Sequence, residues 1–134
     1  MPCAWIRAQA SSGLIVLDEN ILEGQRQLLE AAGVVAHQLG VDIGRKGMKD
    51  EEITALLRSQ RGATFFTRDA DFYREEVRHR SYCVVVTNAG QSEVAGFIRR
   101  FLSHPDFDTP AKRVGRVVQG VERAFGCEPP TVSG

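Results

Sequence analysis

The sequence predicts an α/β fold on a mainly parallel sheet. Three features carry that expectation: short continuous apolar runs without polar alternation, longer stretches with helical spacing, and the regular exchange of one for the other along the chain. Leu14-Ile15-Val16-Leu17, after Ser11-Ser12-Gly13, reads as a first strand buried on both faces. Asn20 stands where it can cap a helix whose apolar positions are Ile21, Leu22, Leu28, Leu29 and Ala32, and Gly33 suits its C-terminal stop. Val34-Val35-Ala36 gives a second brief strand. Residues 40–49 are polar and glycine-rich, and the next helix has Glu51-Glu52 in its first turn and Ile53, Leu56 and Leu57 on its inner side, with Asp50 at its entrance. Ala63–Thr67 and Tyr82–Thr87 read as strands three and four. Residues 92–102 form a helix through Val94, Phe97, Ile98 and Phe101. From 109 to 125 two readings stand: a helix begun by Thr109-Pro110, or an edge strand, since Gly115 and Gly120 each cost about 1 kcal/mol inside a helix.

At 134 residues and 14.8 kDa the chain makes one domain, 1–134, with 1–12 and 127–134 as loose ends. Acids and bases balance at 17 each, which excludes a general attraction for polyanions of the kind a strongly basic protein shows. Three cysteines, Cys3, Cys83 and Cys127, odd in number and far apart, fit neither a disulfide framework nor a CxxC metal site, so a cytoplasmic protein is expected. No apolar run approaches the ~18 residues of a membrane span, and the first residues lack a signal-peptide layout.

Four acids stand where an apolar strand or a helix meets a loop. Asp18 ends Leu14–Leu17, Asp50 opens a helix, and Asp69 and Asp71 follow the strand Phe65-Phe66-Thr67. In an open parallel sheet, ligands gather outside the carboxyl ends of the strands. Carboxylates meeting there repel one another, and a hard divalent cation such as Mg²⁺ or Mn²⁺ relieves that repulsion. Asp18, Asp50, Asp69 and Asp71 are therefore the expected metal ligands and catalytic acids, Arg68 a phosphate or carboxylate partner, and Lys46 and Lys49, with Arg45, a local basic surface for substrate. Each residue also has a structural reading. Asp18 can be a turn former, Asp50 a partner of the helix dipole, and one of Asp69 and Asp71 a cap of the next turn. Thr67 can bond to backbone or support a carboxylate. His37, His79 and His104 have no zinc-like spacing, and Arg74, Arg78 and Arg80 with Glu75 and Glu76 read as a solvated face.

In order and spacing, Leu17-Asp18-Glu19-Asn20, then Asp50-Glu51-Glu52-Ile53, then Thr67-Arg68-Asp69-Ala70-Asp71-Phe72 resemble the PIN-like domain family, in its short LDEN and TRDxDF form. The resemblance spans residues 14–88. It implies a three-layer α/β/α sandwich, a Mg²⁺- or Mn²⁺-dependent endoribonuclease, and kinship with the VapC-type toxins of toxin-antitoxin pairs, hence an RNA substrate, an antitoxin protein as partner and a homodimer. It also implies that the helix opened by Asp50 starts beside the site. A further acid usual in full-length members has only Glu23, Glu30 and Asp42 as candidates here. Two other readings stand beside it: a module of the same fold that binds protein or nucleic acid without cutting it, and a phosphoacceptor receiver domain, disfavoured by the absence of an evident lysine after a fifth strand.

Overall fold

The computed structural model describes residues 13–121 and 124–126, and the expected loose ends, 1–12 and 127–134, lie outside the described residues. The strands are β1 (Ile15–Leu17), β2 (Ala36–Gln38), β3 (Ala63–Thr67), β4 (Tyr82–Thr87), β5 (Val117–Val121) and β6 (Ala124–Gly126). The helices are α1 (Glu23–Ala31), α2 (Asp50–Ser59), α3 (Val94–Ser103) and the single turn α4 (Pro110–Arg113). The sheet has the order β2-β1-β3-β4-β5-β6; its first five strands are parallel, and β6 returns antiparallel to β5.

Alternation along each strand sorts the core into two halves. Ile15, Leu17, Phe66, Cys83, Val85 and Val118 face α1 and α3, where they meet Leu29, Val94, Phe97, Ile98 and Phe101. Val16, Phe65, Val84, Val86 and Val117 face α2, where they meet Ile53 and Leu57. A sheet covered on both faces explains why its strands read as unbroken apolar runs. The result is the expected α/β/α layering.

Several local expectations are corrected. The first helix starts at Glu23 with Leu22 at its N-cap and no side-chain cap, so Asn20 does not cap it. Leu22 and Leu28 face outward, 51 % and 55 % exposed, because only Leu29 and Gln25 of this helix meet the core. The second strand lies two residues later than its apolar run, with Val35 left exposed. Both readings of 109–125 hold in part: Pro110–Arg113 is helical and Val117–Val121 is a strand, though flanked by β4 and β6 rather than at the edge. Thr109 caps a single helical turn through its hydroxyl, Gly115 breaks it at φ +87°, and Val117 and Val118 then bury one side chain in each half of the core. Positive φ is open to glycine at little cost, and an edge like that of β4 gains a full hydrogen-bond ladder from a new strand.

Phe101 is wholly buried; its ring stacks on Phe107 at 4.4 Å and meets Phe66 edge-on at 5.5 Å. We expect Phe101→Ala to lower stability by about 3–5 kcal/mol, measured as a shift in urea midpoint with little change in slope.

Candidate functional site

The order β2-β1-β3 makes the chain reverse direction across the sheet between β1 and β3. In open parallel sheets, this switch point is where a crevice opens at the carboxyl edge. Asp18 follows β1 and Asp69 follows β3, so the two acids flank it. Parallel pairing sets Leu17 beside Phe66, and the Asp18 N–H donates to the Phe66 carbonyl at 3.0 Å, which brings Asp18 level with Thr67. By alternation, Asp18 follows Val16 and Thr67 follows Phe65, toward the face that α2 covers.

One hydroxyl ties the two acids together. Thr67 Oγ1 donates to Asp18 Oδ2 at 2.5 Å and accepts the Asp69 N–H at 2.9 Å. Asp69 Oδ1 in turn accepts the Asp71 N–H at 2.9 Å, capping the 3-10 turn Ala70–Phe72. Both readings of Thr67 are therefore realised by one atom, and of the last two acids it is Asp69 that caps. Asp71 remains exposed.

Asp18 is 8 % exposed. Burial pushes its carboxyl above the ordinary aspartate value. The Thr67 hydroxyl and the Asn20 and Glu19 backbone amides oppose that push, and the nearby Asp69 charge adds to it. The turn after Asp18 is held from below by Gln38, whose amide donates to the Asp18 carbonyl at 3.2 Å and to the Ile21 carbonyl at 2.5 Å. The Gln38 role was missed in the sequence; its only signal was a polar residue two positions past the apolar run Val34-Val35-Ala36.

The loop 40–49 reaches the carboxyl edge, where the Gly47 N–H donates to Glu19 Oε1 at 2.8 Å. Arg45 pairs with Glu52, while Lys46 and Lys49 are exposed on this loop. Asp50, at the start of α2, pairs with Arg74 at 3.4 Å, and the same guanidinium donates to the Asp71 carbonyl. The Asp50 carboxylate is thus beside the Asp69–Asp71 turn but engaged by an arginine. Arg68 is exposed and anchored through Nε to the Ala89 carbonyl at 2.9 Å, beyond the end of β4.

The structure unites Asp18 and Asp69 and holds Asp50 in its own ion pair. Among the described residues, no three His, Cys, Asp or Glu side chains come together as a group able to hold a metal ion. What the edge offers a hard cation is the Asp18 carboxylate, held by the Thr67 hydroxyl, with the Asp69 carboxylate near enough for its charge to act on it, and Mg²⁺ accepts one or two carboxylates when water fills its other positions. The three candidates for a further acid gather round Arg26: Asp42 at 3.0 Å, Glu30 at 3.6 Å and Glu23 at 3.7 Å. Asp42 also meets His37 Nδ1 at 3.1 Å and the Gln38 N–H at 2.7 Å. Cys83 is no nucleophile here, since complete burial pushes its thiol up to about 12.

No family model, curated protein or solved structure matches the chain. Its demonstrated likeness is to parallel α/β folds in general. No helix among the described residues is long and apolar enough to cross a membrane.

The raised Asp18 carboxyl sets a sign. The native protein keeps this proton to higher pH than the unfolded chain does, so stability falls as pH rises from the unfolded carboxylate range through the folded value. Asp18→Asn, which can still accept from Thr67, should melt above wild type at pH 7, with the gap closing as the pH falls through that window; melting curves at pH 3 to 8 check it. Thr67→Val should cost about 1–3 kcal/mol by stranding a buried carboxylate oxygen, with Thr67→Ser retaining most of the stability.

Proposed function

We propose that the chain is a PIN-like, Mg²⁺- or Mn²⁺-dependent endoribonuclease, the toxin half of a toxin-antitoxin module. The single observation that carries this reading is the Asp18–Thr67–Asp69 linkage at the β1/β3 switch point. A protein has little structural reason to bury an acid whose charge is opposed by its surroundings, and such groups cluster at working sites. The match to the LDEN and TRDxDF pattern supports the same reading.

In this reading Asp18 and Asp69 would hold the cation, with Thr67 fixing the rotamer of the first and the backbone of the second, and Asp50 and Asp71 would add negative charge beside them. When bound, the metal supplies an acidified water and neutralises charge on the phosphate. Arg68 keeps its terminal nitrogens for a phosphate oxygen, since only Nε is committed to Ala89. Lys46 and Lys49 hold the RNA backbone from the neighbouring loop. The homodimer is supported by exposed Leu22 and Leu28 on α1 and by Val35 and Val41 flanking the edge strand β2. An antitoxin protein would be the second partner.

The Asp50–Arg74 pair favours one alternative, a module of this fold that binds RNA or protein without cutting it, because it takes the third acid out of the donor set. One experiment separates the two. Purified protein is tested for Mn²⁺ binding by calorimetry and for cleavage of mixed RNA with Mg²⁺, Mn²⁺ or chelator. We expect Asp18→Asn and Asp69→Asn to lose both activities and Thr67→Val to weaken metal binding by about 10–100-fold. We expect Arg74→Ala, which frees Asp50, to tighten it. Cleavage that survives chelator and Asp18→Asn rejects the nuclease; RNA binding without cleavage selects the module.

A further inference from the structure

The turns entering β3 and β4, at the amino ends of these strands, carry Arg61, Arg78 and Arg80, with Arg58 in the last turn of α2 beside them. Three arginines pair with acids, Arg26 with Asp42, Arg45 with Glu52 and Arg74 with Asp50, while Arg68, Arg99 and Arg100 are exposed with no carboxylate partner among the described residues. Among the described residues, Arg61, Arg78 and Arg80 are exposed and pair with no carboxylate. Glu76, the acid nearest in sequence with an ion pair, is turned to Arg74 at 3.9 Å.

These arginines surround a shape as well as a charge. A hollow of about 290 Å³ opens between the two turns, lined by Arg61, Gly62, Arg80, Ser81 and Val114. Its floor is fixed: the Gly62 N–H donates to the Ser81 carbonyl at 2.9 Å, and the Gly115 N–H to the Tyr82 carbonyl at 2.8 Å. Neighbouring strands lie about 4.8 Å apart, so guanidinium groups carried at the entrances of β3 and β4 can each hold a phosphate of the same backbone. Arg58 has a bland explanation as a cation at a helix C-terminus. Arg61, two residues past the same helix, shares it in part, and Arg80 has only that of a solvated surface residue.

We propose that this amino-edge hollow is a second nucleic-acid surface, which takes the phosphodiester backbone of single-stranded RNA. Guanidinium forks match phosphate oxygens in pairs, and the affinity such contacts give is electrostatic. The lining side chains are two guanidinium-bearing arginines, one serine hydroxyl and one valine, Val114. The inference stands whether or not the acids at the opposite edge cut RNA.

The test is fluorescence anisotropy of a labelled 12-nucleotide RNA with chelator present, so that neither cleavage nor metal bridging contributes, over 50–300 mM salt. Arg61→Ala/Arg80→Ala should weaken binding by about tenfold or more and lower the log–log salt slope by about 1.4, the loss of two phosphate contacts on a single strand. Arg61→Lys/Arg80→Lys, which keeps the charge and guards against a folding defect, should keep the slope. Arg99→Ala/Arg100→Ala on α3 should change neither. An unchanged slope in the alanine pair overturns the proposal, as does an equal loss in the α3 control, which would mean diffuse attraction. Binding of a polyglutamate peptide that the alanine pair abolishes, with RNA affinity untouched, assigns the hollow to an acidic protein segment and also overturns it.

Discussion

The β1–β3 pairing is the constraint on which the rest depends. β1 is three residues long, yet it must satisfy two neighbours, β2 and β3, and bury side chains on both faces. That leaves one register. A slip of one residue would turn Ile15 and Leu17 toward the wrong half of the core and Asp18 away from Thr67. The same ladder that closes the core with Leu17 beside Phe66 therefore delivers the acid to the hydroxyl, and packing and site geometry are one event.

Burying Asp18 sets stability against placement. Desolvation of the carboxylate is only partly offset by one hydroxyl and two amides, and the Asp69 charge works against it. Beneath it, Gln38 Oε1 is buried with no hydrogen-bond partner among the described residues, whereas polar groups elsewhere in the core are satisfied. Even Arg113, 1 % exposed, donates to Thr64 Oγ1 at 2.8 Å and the Phe107 carbonyl at 2.7 Å. Asp18 stands out because its surroundings favour a neutral group at a rim where ligands of parallel sheets collect.

The formal net charge of zero is mirrored at the carboxyl edge, where Asp18, Glu19, Asp50, Asp69 and Asp71 stand with Arg45, Lys46, Lys49, Arg68 and Arg74, while Arg61, Arg78 and Arg80 lie at the amino ends of β3 and β4. At the carboxyl edge and along α1 the arginines are largely spent on carboxylates, so Arg74 restrains Asp50 and Arg26 collects Asp42, Glu23 and Glu30. An acid's presence in a motif thus did not decide its availability, since a neighbouring guanidinium far along the chain claimed it.

Local chemistry determined much of this protein. Unbroken apolar runs such as Tyr82–Thr87 fixed buried parallel strands, and the stripe Val94, Phe97, Ile98 and Phe101 fixed α3, because burial on two faces or one leaves different periods in the residues. The position of Asp18 and Asp69 at strand ends was legible for the same reason. Tertiary structure alone decided what depends on partners distant in sequence. It turned Leu22 and Leu28 outward, made 117–121 a strand by offering it the edge of β4, and joined Asp18 to Asp69 through Thr67 while giving Asp50 to Arg74. Spacing along the chain records which face a side chain must bury, but hydrogen bonds and ion pairs across 24 or 49 residues exist only once the sheet has closed.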